Sequence, residues 1–189
     1  MGKLIAGINM TLDGVCDHTI GIADDELHDH YSALLRSAGA ILYGRITYQL
    51  MEYWPPLLKN PTGNRAMDEF AAIMDKIPKV VYSRTLKKLD WESARIATRS
   101  LEEEIRMLKQ QSDRDILIGS PSLIVAATEL KLVDEYQLCI HPIIAGRGMK
   151  LFTNSSDMTF LKLVKTKTFR SGVILLCYEP VADATGLVQ

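Results

Sequence analysis

The stretch AILYGRITYQLMEYWP, residues 40–55, changes character within one residue. Ala40, Ile41, Leu42 and Tyr43 form a continuous apolar run, as a strand covered on both faces should. Gly44 breaks the run, and Arg45 and Thr47 stand where a helix starts. A buried strand that feeds a helix directly is the repeating unit of a parallel α/β sheet.

The rest of the chain repeats the unit. Segments 3–8, 79–83, 115–119, 136–144, 158–169 and 173–179 read as further strands. Between them lie amphipathic stripes: Leu27, Tyr31, Leu34, Leu35 and Ala38; then Met67, Phe70, Ala71 and Met74; then Leu101, Ile105 and Leu108. Ser120-Pro121 marks a fourth helix start, with Leu123, Ile124, Ala127 and Leu130 facing inward. Strand and helix alternate to about residue 135, and three strands follow in succession. The last two meet across Arg170-Ser171-Gly172, a hairpin with glycine free to take positive φ. The expected fold class is therefore α/β, a mixed and mainly parallel sheet with helices on both faces and an antiparallel C-terminal hairpin. One domain is expected over 1–180, with 181–189 as a loose tail.

Composition narrows the function. The 189 residues carry Lys+Arg 22 against Asp+Glu 23, a net charge of -1, so no global field draws nucleic acid or an anionic membrane. No segment reaches the roughly 18 apolar residues of a membrane-spanning helix, and the N-terminus lacks a cleavable hydrophobic leader. Three scattered cysteines, Cys16, Cys139 and Cys177, without a C-x-x-C pair, suit reduced thiols in the cytoplasm. The histidines give no metal site: His28 and His30 diverge on one helix, and His18 and His141 have no evident partner. Nucleophile elbows and Walker loops are absent, so hydrolase chemistry is unsupported.

In open α/β sheets, ligands bind beyond the carboxyl ends of the strands. Three strands here end in Gly44-Arg45-Ile46-Thr47, in Ser83-Arg84-Thr85 and in Gly119-Ser120-Pro121-Ser122. A helix N-terminus offers unpaired N–H donors and partial positive charge, and arginine grips phosphate through two parallel hydrogen bonds. The three ends together point to an anion such as the phosphates of a nucleotide. Two glycines bracket Arg147 in IAGRGMKLF, residues 144–152, either as a turn or as a close approach to a ligand or subunit. Asp13-Gly14 is a turn signal in a loop long enough to border a bound ligand.

These motifs resemble the dihydrofolate reductase-like superfamily, in the branch similar to the C-terminal reductase domain of bacterial riboflavin biosynthesis proteins. The marks are TLDG (11–14), LYGRITYQ (42–49), YSRTL (82–86), LVDEYQLCIHPIIAGRGMKLF (132–152) and the final hairpin. The resemblance implies a three-layer α/β/α fold and a reductase whose NADPH lies across the strand ends. Carried over by motif, Gly44, Arg45, Ile46 and Thr47 meet the phosphates, with Arg45 near the 2′-phosphate. Ser83 and Arg84 contact the adenosine side, and Gly119, Ser120, Ser122 and Leu123 lie along the pyrophosphate. Leu12, Asp13 and Gly14 border the nicotinamide. Where the family often has two adjacent glycines, this chain has Gly119-Ser120.

Dihydrofolate reductases place a carboxylate on the first helix, and ADDELHDHY (23–31) offers several, of which Asp25 or Glu26 is expected as the catalytic acid. The helix dipole equally accounts for acidic residues in a first turn. Tyr48, Tyr53 and Trp54 suit a pocket wall, the core or a subunit contact. The implied activity is NADPH-dependent reduction of a small heterocycle or sugar phosphate, pterin-like or phosphoribosylaminouracil-like. With no deaminase domain ahead of the first strand, an unassigned substrate is expected over the riboflavin step itself. The alternative is a nucleotide- or flavin-binding module that has lost turnover. A homodimer through the apolar C-terminal strands is expected, with no metal, nucleic acid or membrane partner.

Overall fold

The computed structural model describes residues 2–22, 24–153 and 158–187. Eight strands form one sheet: β1 (Leu4–Thr11), β2 (Ala38–Gly44), β3 (Lys79–Tyr82), β4 (Ala94–Ile96), β5 (Asp115–Ile118), β6 (Glu135–His141), β7 (Phe160–Thr168) and β8 (Ile174–Val181). The helices are α1 (Asp25–Ser37), α2 (Arg45–Met51), α3 (Pro55–Lys59), α4 (Arg65–Lys76), α5 (Leu101–Gln111) and α6 (Pro121–Glu129).

The strands lie in the order β4-β3-β2-β5-β1-β6-β8-β7. Pairings from β4 through to β6 are parallel, and β6-β8 and β8-β7 are antiparallel, as the alternation followed by three successive strands predicts. The hairpin turns at Gly172 with φ 84, and Phe169 and Val173 close it through a main-chain bond of 2.9 Å.

Alternate residues of the central strands serve opposite layers. Leu4, Ala6 and Ile8 of β1 pack with Ile105 of α5 and Ile124 and Ala127 of α6. Ile5, with Ile41, Val81 and Leu117 of neighbouring strands, packs with Leu35, Tyr48, Phe70 and Met74 on the other face. Each leucine, isoleucine or valine among them stabilises the fold by about 1.5–3 kcal/mol through burial, which is why these strands read as unbroken apolar runs.

Of the elements that differ from the sequence reading, three have a local cause. Strand β4 is additional; its three residues straddle exposed Arg95, too few to show a period, and main-chain bonds Lys79 N–H to Ser93 and Ala97 N–H to Val81 hold it. β6 stops at His141 because Pro142 has no N–H to continue the ladder. Within the tail, Val181 still belongs to β8 and Ala184–Leu187 forms a 3₁₀ turn, while Val188 and Gln189 lie outside the described residues.

Candidate functional site at the carboxyl edge of the sheet

The strand order sets four of the expected segments side by side. Reading across from β3 to β1, the edge carries Ser83-Arg84, then Gly44–Thr47, then Gly119–Leu123, then Leu12–Gly14. Helix α2 begins at Arg45 and α6 at Pro121, as the local signals predict.

Ser120 occupies the N-cap position of α6, yet its hydroxyl makes no cap bond. Instead Oγ accepts the Gly44 N–H at 2.8 Å, joining the ends of β5 and β2. That side chain is only 2% exposed. Gly119 lies against the Tyr43 ring: a Cβ there would stand 3.6 Å from Tyr43 Cε1 and 3.7 Å from the Gly7 carbonyl oxygen. The first turn of α6 leaves the N–H groups of Ser122 and Leu123 without helical partners. Arg45 is exposed and reaches Gln49 Oε1 at 3.1 Å; Arg84 is exposed, while Ser83 Oγ is engaged by the N–H groups of Thr85 and Leu86. Free main-chain donors, hydroxyls and guanidinium groups with no carboxylate among them are a donor set that suits a polyphosphate.

The TLDG and GRG motifs form one structure. Asp13 accepts hydrogen bonds from Thr11 Oγ1 at 2.6 Å, Ala145 N–H at 3.0 Å and Gly146 N–H at 2.8 Å. These donors, Thr11 first, hold the carboxyl at about 2. Further bonds run from Leu12 N–H to Ile143, Cys16 N–H to Met149 and Leu151 N–H to Gly14. Gly148, at φ 124, lies so close to Val15 that a Cβ would stand 2.6 Å from its Cγ1. The glycine is thus required by a neighbouring loop of the same chain. Leu12 remains 66% exposed and Ile46 64%, two apolar side chains at the same edge.

The acidic residues of α1 are engaged by protein groups. Asp24 caps the helix through Leu27 N–H; Asp25 Oδ1 accepts from Asn64 Nδ2 at 2.8 Å; Glu26 Oε2 accepts from Arg170 N–H at 2.8 Å. His28 packs against Trp54 and Phe70, whereas His30 packs against Tyr31 and Phe169, so the two do diverge. Tyr48 is core at 1% exposure, and Tyr53 is exposed. Burial pushes the Cys16 and Cys139 thiols up to about 11, which leaves both protonated and unreactive at neutral pH. Among the described residues no group of three or more His, Cys, Asp or Glu is placed to hold a metal ion.

Sequence reasoning missed Asn9, and His141, which shows no partner in the sequence, has two in the fold. His141 is 2% exposed at the end of β6; its Nδ1 accepts from Ile22 N–H at 2.9 Å and its Nε2 lies 3.3 Å from Asn9 Oδ1. Those partners are 119 and 132 residues away in sequence, and no local pattern announces them.

A protein of Bacillus subtilis, the uncharacterized protein YyaP, is 33% identical over 181 residues, covering 94% of each chain. Among solved structures, a riboflavin biosynthesis protein described as putative, from Shewanella sp. PV-4, superposes with a TM-score of 0.70 at 18% identity, covering 95% of this chain and 99% of its own. A pyrimidine reductase-like protein from Corynebacterium diphtheriae gives 0.67 at 19% identity, covering 96% and 93%. At such identities the two structures establish the fold alone, an α/β/α sandwich. A family model, the RibD C-terminal domain, matches residues 2–175, and the chain belongs to that family.

Proposed function

We propose that the protein is an NADPH-dependent reductase of a small heterocyclic or sugar-phosphate substrate. The observation that carries the reading is the alignment of three donor-bearing strand ends, with the Leu12–Gly14 loop beside them, along one edge of a sheet that belongs to this family. The reductase-type neighbour supports it. NADPH supplies a hydride when bound; the protein's task is to align the two rings and exclude water. Gly44, Arg45, Ile46 and Thr47, with Gly119, Ser120, Ser122 and Leu123, are assigned to the phosphates. Arg45 is assigned to the 2′-phosphate, and Ser83 and Arg84 to the adenosine side. Leu12, Asp13 and Gly14 are assigned to the nicotinamide border, with Asp13 acting through the loop that it pins.

Asp25 and Glu26 are assigned as anchors of α1, since each already holds a partner on a flank of the helix. A homodimer is proposed through the C-terminal strands, where Leu163, Val164 and Ile174 expose apolar surface at 48%, 47% and 41%. Among the described residues no helix is long and apolar enough to cross a membrane, and the three free cysteines suit a reducing cytoplasm.

The test is NADPH oxidation followed at its absorbance band with dihydropterin, aminouracil and ribosylaminouracil phosphate probes. Substrate-dependent oxidation is expected with at least one heterocycle. Tight NADPH binding without turnover of any probe would favour the binding-module alternative.

A further inference from the structure

Asn9 sits on β1, between β5 and β6 in the middle of the sheet, and yet it is exposed. On its own face the neighbouring Gly7 is covered: a Cβ there would stand 3.6 Å from Leu34 Cδ2 and 4.0 Å from Tyr31 Cε1 of α1. The helix therefore roofs the strand as far as Gly7 and stops short of Asn9. Beyond that point the sheet opens toward the carboxyl edge, where Leu12 is also exposed.

The orientation of the Asn9 amide follows from its neighbours. The Ile22 N–H is a main-chain donor and meets His141 Nδ1 at 2.9 Å, so that nitrogen carries no proton. The neutral ring then holds its proton on Nε2, which can only donate, and the Asn9 atom facing it at 3.3 Å must be the oxygen. Gly21 lies over the ring, with a Cβ position 3.5 Å from His141 Cε1. Burial lowers the imidazole pKa, against a smaller opposing pull from Asp24, which favours the uncharged ring. The Nδ2 group, with two N–H donors and no hydrogen bond to a described residue, is left for the open side.

We propose that Asn9 is a specificity residue for a substrate bound at this open carboxyl end of the sheet, locked by His141 to present donors, and that it selects a ring carbonyl over a ring amino group. This rests on the reading of the substrate as a heterocycle. A lactam oxygen, as in an oxo-pteridine or oxo-pyrimidine, accepts from Nδ2; an amino group at the same place sets donor against donor and leaves both unpaired. A free asparagine would rotate its amide and accept either ligand. His141 is the positioning residue that forbids the rotation.

The test uses two probes that differ at one ring position, pterin (2-amino-4-oxo) and 2,4-diaminopteridine, titrated by their own fluorescence against the full-length protein. The native protein is expected to bind pterin about tenfold more tightly. Asn9→Asp, which replaces the donor with an acceptor of the same shape at an exposed position, is expected to reverse the order. Asn9→Leu should abolish the preference and, by leaving the His141 Nε2–H unpaired, lower the melting temperature by about 2–4 °C. His141→Gln should narrow the affinity ratio while Asn9 is still present, a readout that a purely structural histidine would not move. If the native protein shows no preference, prefers the diamino ligand or binds neither, the assignment is overturned. So is it if Asn9→Asp keeps the native order. NADPH binding, titrated separately on the same protein, reads the cofactor assignment: its absence would sink that reading and leave the pteridine ratio standing.

Discussion

The hydroxyl oxygen of Ser120 accepts the amide hydrogen of Gly44 at 2.8 Å, although 76 residues separate them. The bond joins the two strand ends assigned to the cofactor phosphates and fixes the spacing between the first turns of α2 and α6. Ser120→Ala leaves the Gly44 N–H without its partner and is expected to cost about 1–2 kcal/mol in urea denaturation. Ser120→Gly should cost as much or slightly more, because the glycine also frees the backbone of the unfolded chain. An unchanged unfolding free energy for both variants would mean that the strand ends are held by other contacts.

Arg45 is exposed and, among the described residues, is held by Gln49 on its own helix, so its guanidinium can turn to a phosphate at little cost. Arg45→Ala is expected to weaken NADPH binding by about tenfold and NADH binding by less than about twofold. Equal losses for the two nucleotides would contradict the 2′-phosphate assignment and place the residue at a group that they share.

Asp25 and Glu26 separate two roles that the sequence leaves open. As anchors of α1, they should tolerate Asp25→Asn and Glu26→Gln with turnover within about threefold of native. A proton donor removed from its post costs about a hundredfold or more in turnover. A loss of that size in either variant, at an unchanged melting temperature, would restore the carboxylate as the acid.

Acid should loosen the α1 layer before it reaches the carboxylates. Burial lowers the His30 pKa to about 4, with Lys167 and Lys165 adding in the same direction. In the unfolded chain the same ring titrates near 6.5. Between those values the unfolded state holds the extra proton, so the contribution is complete above pH 6.5 and is lost as the pH falls toward 4. Since the ring is partly accessible, the expected loss from pH 7 to pH 5 is about 1–2 kcal/mol, measured by urea denaturation. His30→Phe should flatten that segment of the profile; an unchanged slope would show that other groups carry it.

The central sheet was legible because its strands are short, buried on both faces and separated by amphipathic helices. The run Ile116-Leu117-Ile118 shows this, as does the Ser120-Pro121 start of α6. β4 was not, since three residues around Arg95 carry no pattern. At the site, sequence located the strand ends but not what they bind to within the chain. Asp13 reads as a turn residue, and in the fold it is also the clamp that holds the loop at Ala145 and Gly146. Ser120 reads as a helix start and a phosphate neighbour, and in the fold its hydroxyl accepts from Gly44. The partners of His141 are not legible because its relation to Asn9 exists only where β1 and β6 lie side by side. Local signals predict local structure; pairs more than a hundred residues apart need the sheet order first.

The most direct test is an equilibrium titration of the purified protein with NADPH and with NADH, read by nicotinamide fluorescence at moderate ionic strength. Saturable NADPH binding, about tenfold or more tighter than NADH, is the predicted result. Binding of neither nucleotide would contradict the reductase assignment at its root.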